Sequence, residues 1–94
     1  MAAPHHFCSM HYVYLLRSIR DSKYYIGVTD DLRRRFTEHN SGKNKSTTHR
    51  RPFILIYYEA YRSKSDAYLR ERKLKGFKNS YKELLKRLQK SIIE

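Results

Sequence analysis

Apolar and aromatic positions gather into three short runs separated by polar, basic stretches. The run "HYVYLLR", His11 to Arg17, is rich in aromatic and branched side chains and reads as a strand. The polar stretch "SIRDSK" supplies a turn, and "YYIGVT", Tyr24 to Thr29, returns as a second strand, so an antiparallel hairpin is predicted. Both strands are apolar on both faces, which predicts a central position under helices. "FILIYYEAY", Phe53 to Tyr61, is the third strand and the most hydrophobic part of the chain.

Elsewhere the apolar spacing becomes helical. "TDDLRRRFTEHNSG" predicts a helix capped by Thr29 or Asp30, with Asp31 near the positive end of its dipole and Asn40, Ser41 and Gly42 as the stop. A polar, basic loop ending in Pro52 follows it. A second helix is expected over about Ser65 to Lys75, with Gly76 as its C-cap. A third begins near Ser80, where "SYKE" reads as a capping box of Ser80 and Glu83 and Asn79 is another capping candidate. Tyr81, Leu84, Leu85, Leu88 and Ile92 then share one face. The order β-β-α-β-α-α predicts a small α/β or α+β domain with helices packed on three strands.

Polar residues at apolar positions are the informative exceptions. Leu32 and Phe36 mark the buried stripe of the first helix, and Arg35 and His39 continue it toward the sheet or its edge, while Arg33 and Arg34 point outward. Glu71 lies between Ala67 and Leu74, where a carboxylate must be paired, hydrogen-bonded or metal-bound, an arginine being the ordinary partner. Strand alternation puts Tyr25 and Gly27 on one face, and Tyr14 and Tyr25 can meet across the hairpin. Glycine packs nothing inside a strand, so Gly27 is expected to leave room beside Tyr25 for substrate backbone or for the helix bearing Arg35.

Charge changes the picture most. The 94 residues carry a net charge of +12. Such a surplus favours polyanions, nucleic acid first and an anionic membrane surface second. The basic candidates for binding are Arg33, Arg34, Lys43, Lys45, Arg50 and Arg51, with Thr47 and Thr48 as phosphate donors; residues 62–90 add eleven Lys and Arg against three acids. The length suits one domain, read as a flexible leader over 1–10 and a folded unit over 11–94. A lone cysteine, no membrane-length apolar run and no secretory leader predict a soluble, cytoplasmic protein. His5, His6, Cys8 and His11 fall in that leader and lack the spacing of a structural zinc site.

Taken together these residues resemble the GIY-YIG nuclease superfamily. "YVY", Tyr12 to Tyr14, is similar to its first motif with Tyr12 in place of the first glycine, and "YIG", Tyr25 to Gly27, matches the second. "LRRRFTEH" resembles the helix that carries the family's arginine and, four residues on, a histidine, which fall on Arg35 and His39. "SDAYLRERKLKG" resembles the helix bearing its single metal-binding glutamate, here Glu71. "EHNSGK" and "RRPFILIYYEAY" are similar to the short, single-domain bacterial branch, and the likeness runs from about Tyr12 to Leu88. It implies a three-stranded antiparallel sheet flanked by helices. It also implies a metal-dependent DNA endonuclease, with structured, damaged or single-stranded DNA as its expected substrate and a place in DNA repair.

Phosphodiester hydrolysis needs an activated water, charge relief on the phosphoryl oxygens and a stabilised leaving oxygen. Glu71 suits Mg²⁺ (or Mn²⁺), since Mg²⁺ keeps several waters and can use one carboxylate plus substrate phosphate. Arg35 forks onto the scissile phosphate. Tyr14 is favoured as the base and Tyr25 as positioner, with His39 assisting proton transfer or binding phosphate. Two departures, Tyr12 for the first glycine and no late asparagine beyond Asn79, favour an alternative: a non-catalytic DNA- or RNA-binding module on the same fold. A basic surface that docks on an acidic protein is a third reading.

Overall fold

A computed structural model describes residues 10–93; the leader assigned to residues 1–10 thus lies outside the described residues but for Met10, as do His5, His6 and Cys8. Strand β1 (His11–Ser18) is followed by β2 (Tyr24–Thr29), helix α1 (Leu32–Ser41), a single 3₁₀ turn (Thr48–Arg50), β3 (Phe53–Tyr61), α2 (Lys64–Gly76), α3 (Lys78–Arg87) and a short α4 (Gln89–Ile93). The strands form one antiparallel sheet in the order β2-β1-β3. The predicted β-β-α-β-α-α order is therefore observed, with one added turn of helix at the end.

Only β1 has the central position expected of both hairpin strands; β2 is an edge strand. Burial follows the alternation of β1. Val13 and Leu15 enter a core with Ile26, Ala67, Leu74 and Leu84 beneath α2 and α3. Tyr14 and Leu16 enter a second core with Phe53, packed by Tyr25, Leu32, Phe36 and Leu55 beneath α1. The apolar residues of β2 need no outer strand because helices from opposite faces cover them. A β-bulge opposite Leu15 and Leu16 keeps β3 in step: Leu15 faces Tyr57 and Leu16 faces Leu55.

The helix bounds correct the expected caps. Asp31, not Thr29 or Asp30, caps α1, its carboxylate accepting from the Arg34 N–H at 3.0 Å. Gly42 ends α1 at φ 84°, the left-handed C-cap that its type predicts. Ser63 caps α2. Gly76 is the last residue of α2 rather than its cap, and the chain passes through Phe77 straight into α3. Asn79 and Ser80 consequently lie inside α3, and the capping box does not form. The apolar face sets where α3 begins: Tyr81, Leu85 and Leu88 pack around buried Leu84.

One half-buried ion pair fixes α2 against β3. Arg70 forks onto Glu59, with Nε and Nη2 each 3.0 Å from a carboxylate oxygen. The Tyr57 and Tyr61 hydroxyls donate to the same carboxylate at 2.7 and 2.5 Å. Burial, then the bond to Glu59, pushes both phenols up to about 12. Burial alone would raise the Glu59 carboxyl, but Arg70 and the two hydroxyls hold it below the usual range. Because Arg70 precedes Glu71, this clamp also sets the position of the candidate catalytic helix. Arg70→Met leaves the half-buried carboxylate with only its two tyrosine donors, so urea unfolding is expected to show a loss of about 2 kcal/mol, against about 0.5 kcal/mol or less for a surface change at Arg72.

Candidate active site

Five of the residues singled out in the sequence gather at the β2 edge of the sheet. Tyr14 comes from β1, Tyr25 from β2, Arg35 and His39 from α1, and Glu71 from α2, which reaches the edge from the opposite face. The Tyr14 and Tyr25 rings lie 6.3 Å apart, centroid to centroid. Helix α1 is held in place by Asn40, which donates to the Phe53 carbonyl at 3.0 Å and accepts from its N–H at 2.6 Å. That clasp fixes the C-terminal turn from which His39 projects.

His39 is fully buried among the rings of Tyr14, Tyr25 and Phe53. Its Nε2 is 2.9 Å from the Tyr14 hydroxyl and its Nδ1 is 2.9 Å from the Thr47 hydroxyl. Thr47 directs its own hydrogen, weakly, at the Asn44 carbonyl 3.4 Å away. That leaves its oxygen to accept from His39 Nδ1–H, so Nε2 accepts the hydrogen of Tyr14. With no exposed surface, neither His39 nor Thr47 can meet a phosphate; the Thr47 hydroxyl belongs to this chain of hydrogen bonds instead.

Burial, then the Arg35 guanidinium, lowers the His39 pKa from 6.5 to about 4. The folded value lies below the unfolded one, so the unfolded chain takes up a proton first as pH falls. Stability held in full above pH 6.5 is then lost toward the folded value of about 4. At about 1.4 kcal/mol per pH unit the loss is about 3 kcal/mol. Urea unfolding at about pH 7 and pH 4.5 is expected to show most of it, and His39→Gln to flatten the dependence in that window.

Burial raises the Tyr14 phenol to about 12, against the pull of Arg35 beside it. Arg35 is half-buried, its Nη1 held by Glu38 at 3.2 Å. Glu71 is paired, but with Lys75 rather than an arginine: Nζ lies 3.0 Å from Oε2 and 5.8 Å from the centre of the Tyr25 ring. Among the described residues Oε1 takes no hydrogen bond, and no three His, Cys, Asp or Glu side chains cluster as a metal site. Sequence reasoning does not bring Lys75, Asn40 or Glu38 to the site, and it assigns Thr47 to phosphate rather than to His39. Lys75 and Glu38 carry a local signal, their i+4 spacing from Glu71 and i+3 spacing from Arg35.

The space beside Gly27 has an occupant other than the one expected. Gly27 faces Tyr14 across the hairpin, and a Cβ there would overlap the Tyr14 hydroxyl and approach its Cε2 to 2.9 Å. The phenol of Tyr14 fills that space, not substrate backbone and not α1.

The basic candidates divide. Arg33, Arg34 and Lys43 line one shallow depression on the outer side of α1, where Arg34 pairs with Asp30 at 3.4 Å. Lys45 and Arg51 are exposed. Arg50 instead serves the fold: its Nε meets Asp21 at 2.9 Å, its Nη2 donates to the Tyr24 carbonyl, and its guanidinium covers Phe53. Arg50, then the Lys23 N–H, holds the Asp21 carboxyl down at about 2.

Comparison with known proteins shows the family. The GIY-YIG catalytic domain model matches residues 10–86. A UPF0213 protein of Staphylococcus haemolyticus is 41% identical over 73 residues, covering 77% of this chain and 88% of that one. One from Halobacterium salinarum is 42% identical over 77 residues, covering 81% and 99%. The solution NMR structure of the UPF0213 protein BH0048 from Bacillus halodurans is 40% identical and superposes with a TM-score of 0.52 over 84% of each chain. No helix among the described residues is long and apolar enough to cross a membrane. With its hairpin tyrosines, α1 arginine and α2 glutamate on one sheet edge, the chain belongs to the GIY-YIG catalytic domain family, in its short UPF0213 branch, and so to a family of nucleases that act on nucleic acid.

Proposed function

We propose that this chain is a metal-dependent endonuclease that hydrolyses phosphodiester bonds in DNA, with structured, damaged or single-stranded DNA as its substrate. The observation that carries the reading is the convergence of Tyr14, Tyr25, Arg35 and Glu71 from four elements on one edge. Unlike the Arg70–Glu59 clamp, where the arginine saturates the carboxylate, here Arg35 and Glu71 are not paired with each other, and Glu71 keeps one oxygen without a hydrogen bond among the described residues.

Glu71 offers one carboxylate oxygen outside its bond to Lys75. That donor set fits a hard cation that keeps most of its water, as Mg²⁺ or Mn²⁺ does, and does not fit zinc. Bound there, such a cation would relieve charge on the phosphate and neutralise the departing 3′ oxygen. Arg35 presents its fork to the phosphoryl oxygens, with Glu38 fixing the guanidinium plane. Tyr25, half-buried at the surface of the site, positions the attacking water.

Tyr14 is the proposed base, and the magnitudes bound when it can act. Moving its proton to His39 is strongly uphill, because burial holds the phenol up at about 12 and the imidazole down at about 4. In the resting protein Tyr14 therefore keeps its proton, and His39 with Thr47 fixes the hydroxyl's direction. Positive charge brought into the loaded site must lower the phenol, as Arg35 already begins to do.

One observation favours a second reading, a non-catalytic DNA- or RNA-binding module: Tyr14 is only 2% exposed. Incubating the protein with a panel of single-stranded, flapped, branched and duplex DNAs in Mg²⁺, Mn²⁺ and EDTA separates the two. Cation-dependent nicking that disappears in Glu71→Gln supports the nuclease; salt-sensitive binding with no cleavage under either cation supports the module.

A further inference from the structure

A polar cavity of about 300 Å³ opens next to the candidate active site, between α1 and α2 at the far end of β2. Arg35 lines it and so joins it to the catalytic cluster; Arg34 and Glu38 complete the α1 wall, and Lys64 and Tyr68 form the α2 wall. Tyr68 is an aromatic ring left out of both cores, 44% exposed. It sits three residues before Glu71, on the adjacent turn of the same helix face. The Lys64 ammonium stands 5.6 Å from its ring centre and has no carboxylate partner among the described residues.

We propose that this cavity is the subsite for the nucleotide next to the scissile phosphate, and that Tyr68 stacks that nucleotide's base in an unpaired state. The proposal rests on the nuclease reading and names its substrate class. The cavity is at the lower end of the volumes that hold small ligands, room for one nucleotide and not for a base pair. Lys64 and Arg34 supply cationic donors for the flanking phosphate, while Asp30 and Glu38 anchor the guanidinium groups by their ion pairs. An exposed tyrosine with a lysine over one face, in a cavity lined by arginines, is the combination that single-strand binders use, because every base has a face to stack. In continuous duplex each base face is covered by its neighbours and Tyr68 has nothing to receive. Single strands, flaps and the open arms of branched DNA provide that base.

Binding in EDTA tests the subsite without cleavage. The probe is a single-stranded oligonucleotide carrying 2-aminopurine, beside a duplex of the same sequence. Tyr68→Ala is expected to bind the single strand roughly tenfold more weakly, to lose the 2-aminopurine quenching seen with the wild type, and to bind duplex as the wild type does. Tyr68→Phe keeps the ring and should retain both affinity and quenching. The proposal is overturned if Tyr68→Ala binds the single strand as tightly as the wild type, or weakens both DNAs equally. Failure of the nuclease reading looks different: no cation-dependent cleavage by the wild type, or full cleavage by Glu71→Gln, with EDTA binding unaffected.

Discussion

Glu71→Gln is expected to lower the nicking rate in Mg²⁺ by roughly a thousandfold while leaving the thermal midpoint almost unchanged. The size follows from what a single carboxylate can supply. Removing one preorganised electrostatic partner of a developing charge costs about 10²–10³ in rate, and here the same substitution also removes the only carboxylate proposed to hold the cation. The small effect on stability follows from the partner. Lys75 is 51% exposed, and an i,i+4 pair of that kind contributes about 0.3–0.5 kcal/mol. Neutral glutamine keeps the shape and suits the interior of α2. Three controls separate the cation's role from simple loss of charge. Glu71→Asp retains the charge on a shorter stem and should cut at an intermediate rate. Lys75→Met removes the ion pair and keeps the carboxylate, so cleavage should persist. DNA binding in EDTA should survive in Glu71→Gln, since the basic surface of α1 is untouched. A Glu71→Gln protein that nicks at the wild-type rate ends the assignment of Glu71.

The elements were largely legible because their signals are local. The bounds of β2 and β3 coincide with their apolar runs, and Gly42 closes α1 in the conformation its type predicts. The errors fall where tertiary packing overrides a short motif. "SYKE" has the spacing of a capping box, but α3 starts at Lys78, before it, with its apolar face already set around Leu84. The centrality of β2 was misread for a related reason: two helices bury an edge strand as well as two strands would. In the site, the identities and faces of Tyr14, Tyr25, Arg35 and Glu71 could be read from period and family likeness. Their partners from distant parts of the chain could not. Thr47 reaches His39 through a loop that has no periodicity, and Arg50, one more positive charge in the sequence, is a half-buried strut tied to Asp21. Net charge says how many cations a chain has, and only the fold says which of them face outward.

Gly27→Val is expected to impair folding and cleavage together, and the reason lies in the side chain opposite. Any Cβ at position 27 overlaps the Tyr14 phenol, and both residues are buried on paired strands that cannot separate to make room. The ring must therefore leave its place. Overpacking of this kind costs about 1–3 kcal/mol, and displacing the hydroxyl leaves buried His39 Nε2 without its donor, about 1–3 kcal/mol more. A loss of about 3 kcal/mol in urea unfolding is the expected result, within the reserve of a domain stable by about 5–15 kcal/mol. The folded variant should nick DNA poorly, because the proposed base no longer stands where His39 and Thr47 hold it. A double-mutant cycle isolates the cause. In a Tyr14→Ala background the space beside position 27 is empty, and Gly27→Ala should then cost a few tenths of a kcal/mol instead of about 2. If Gly27→Ala is equally costly in both backgrounds, the glycine answers to the backbone of β2 alone. If the cost vanishes with the phenol, the two positions act as one unit: the strand gives up a side chain at Gly27 so that Tyr14 can lie flat across it and reach His39.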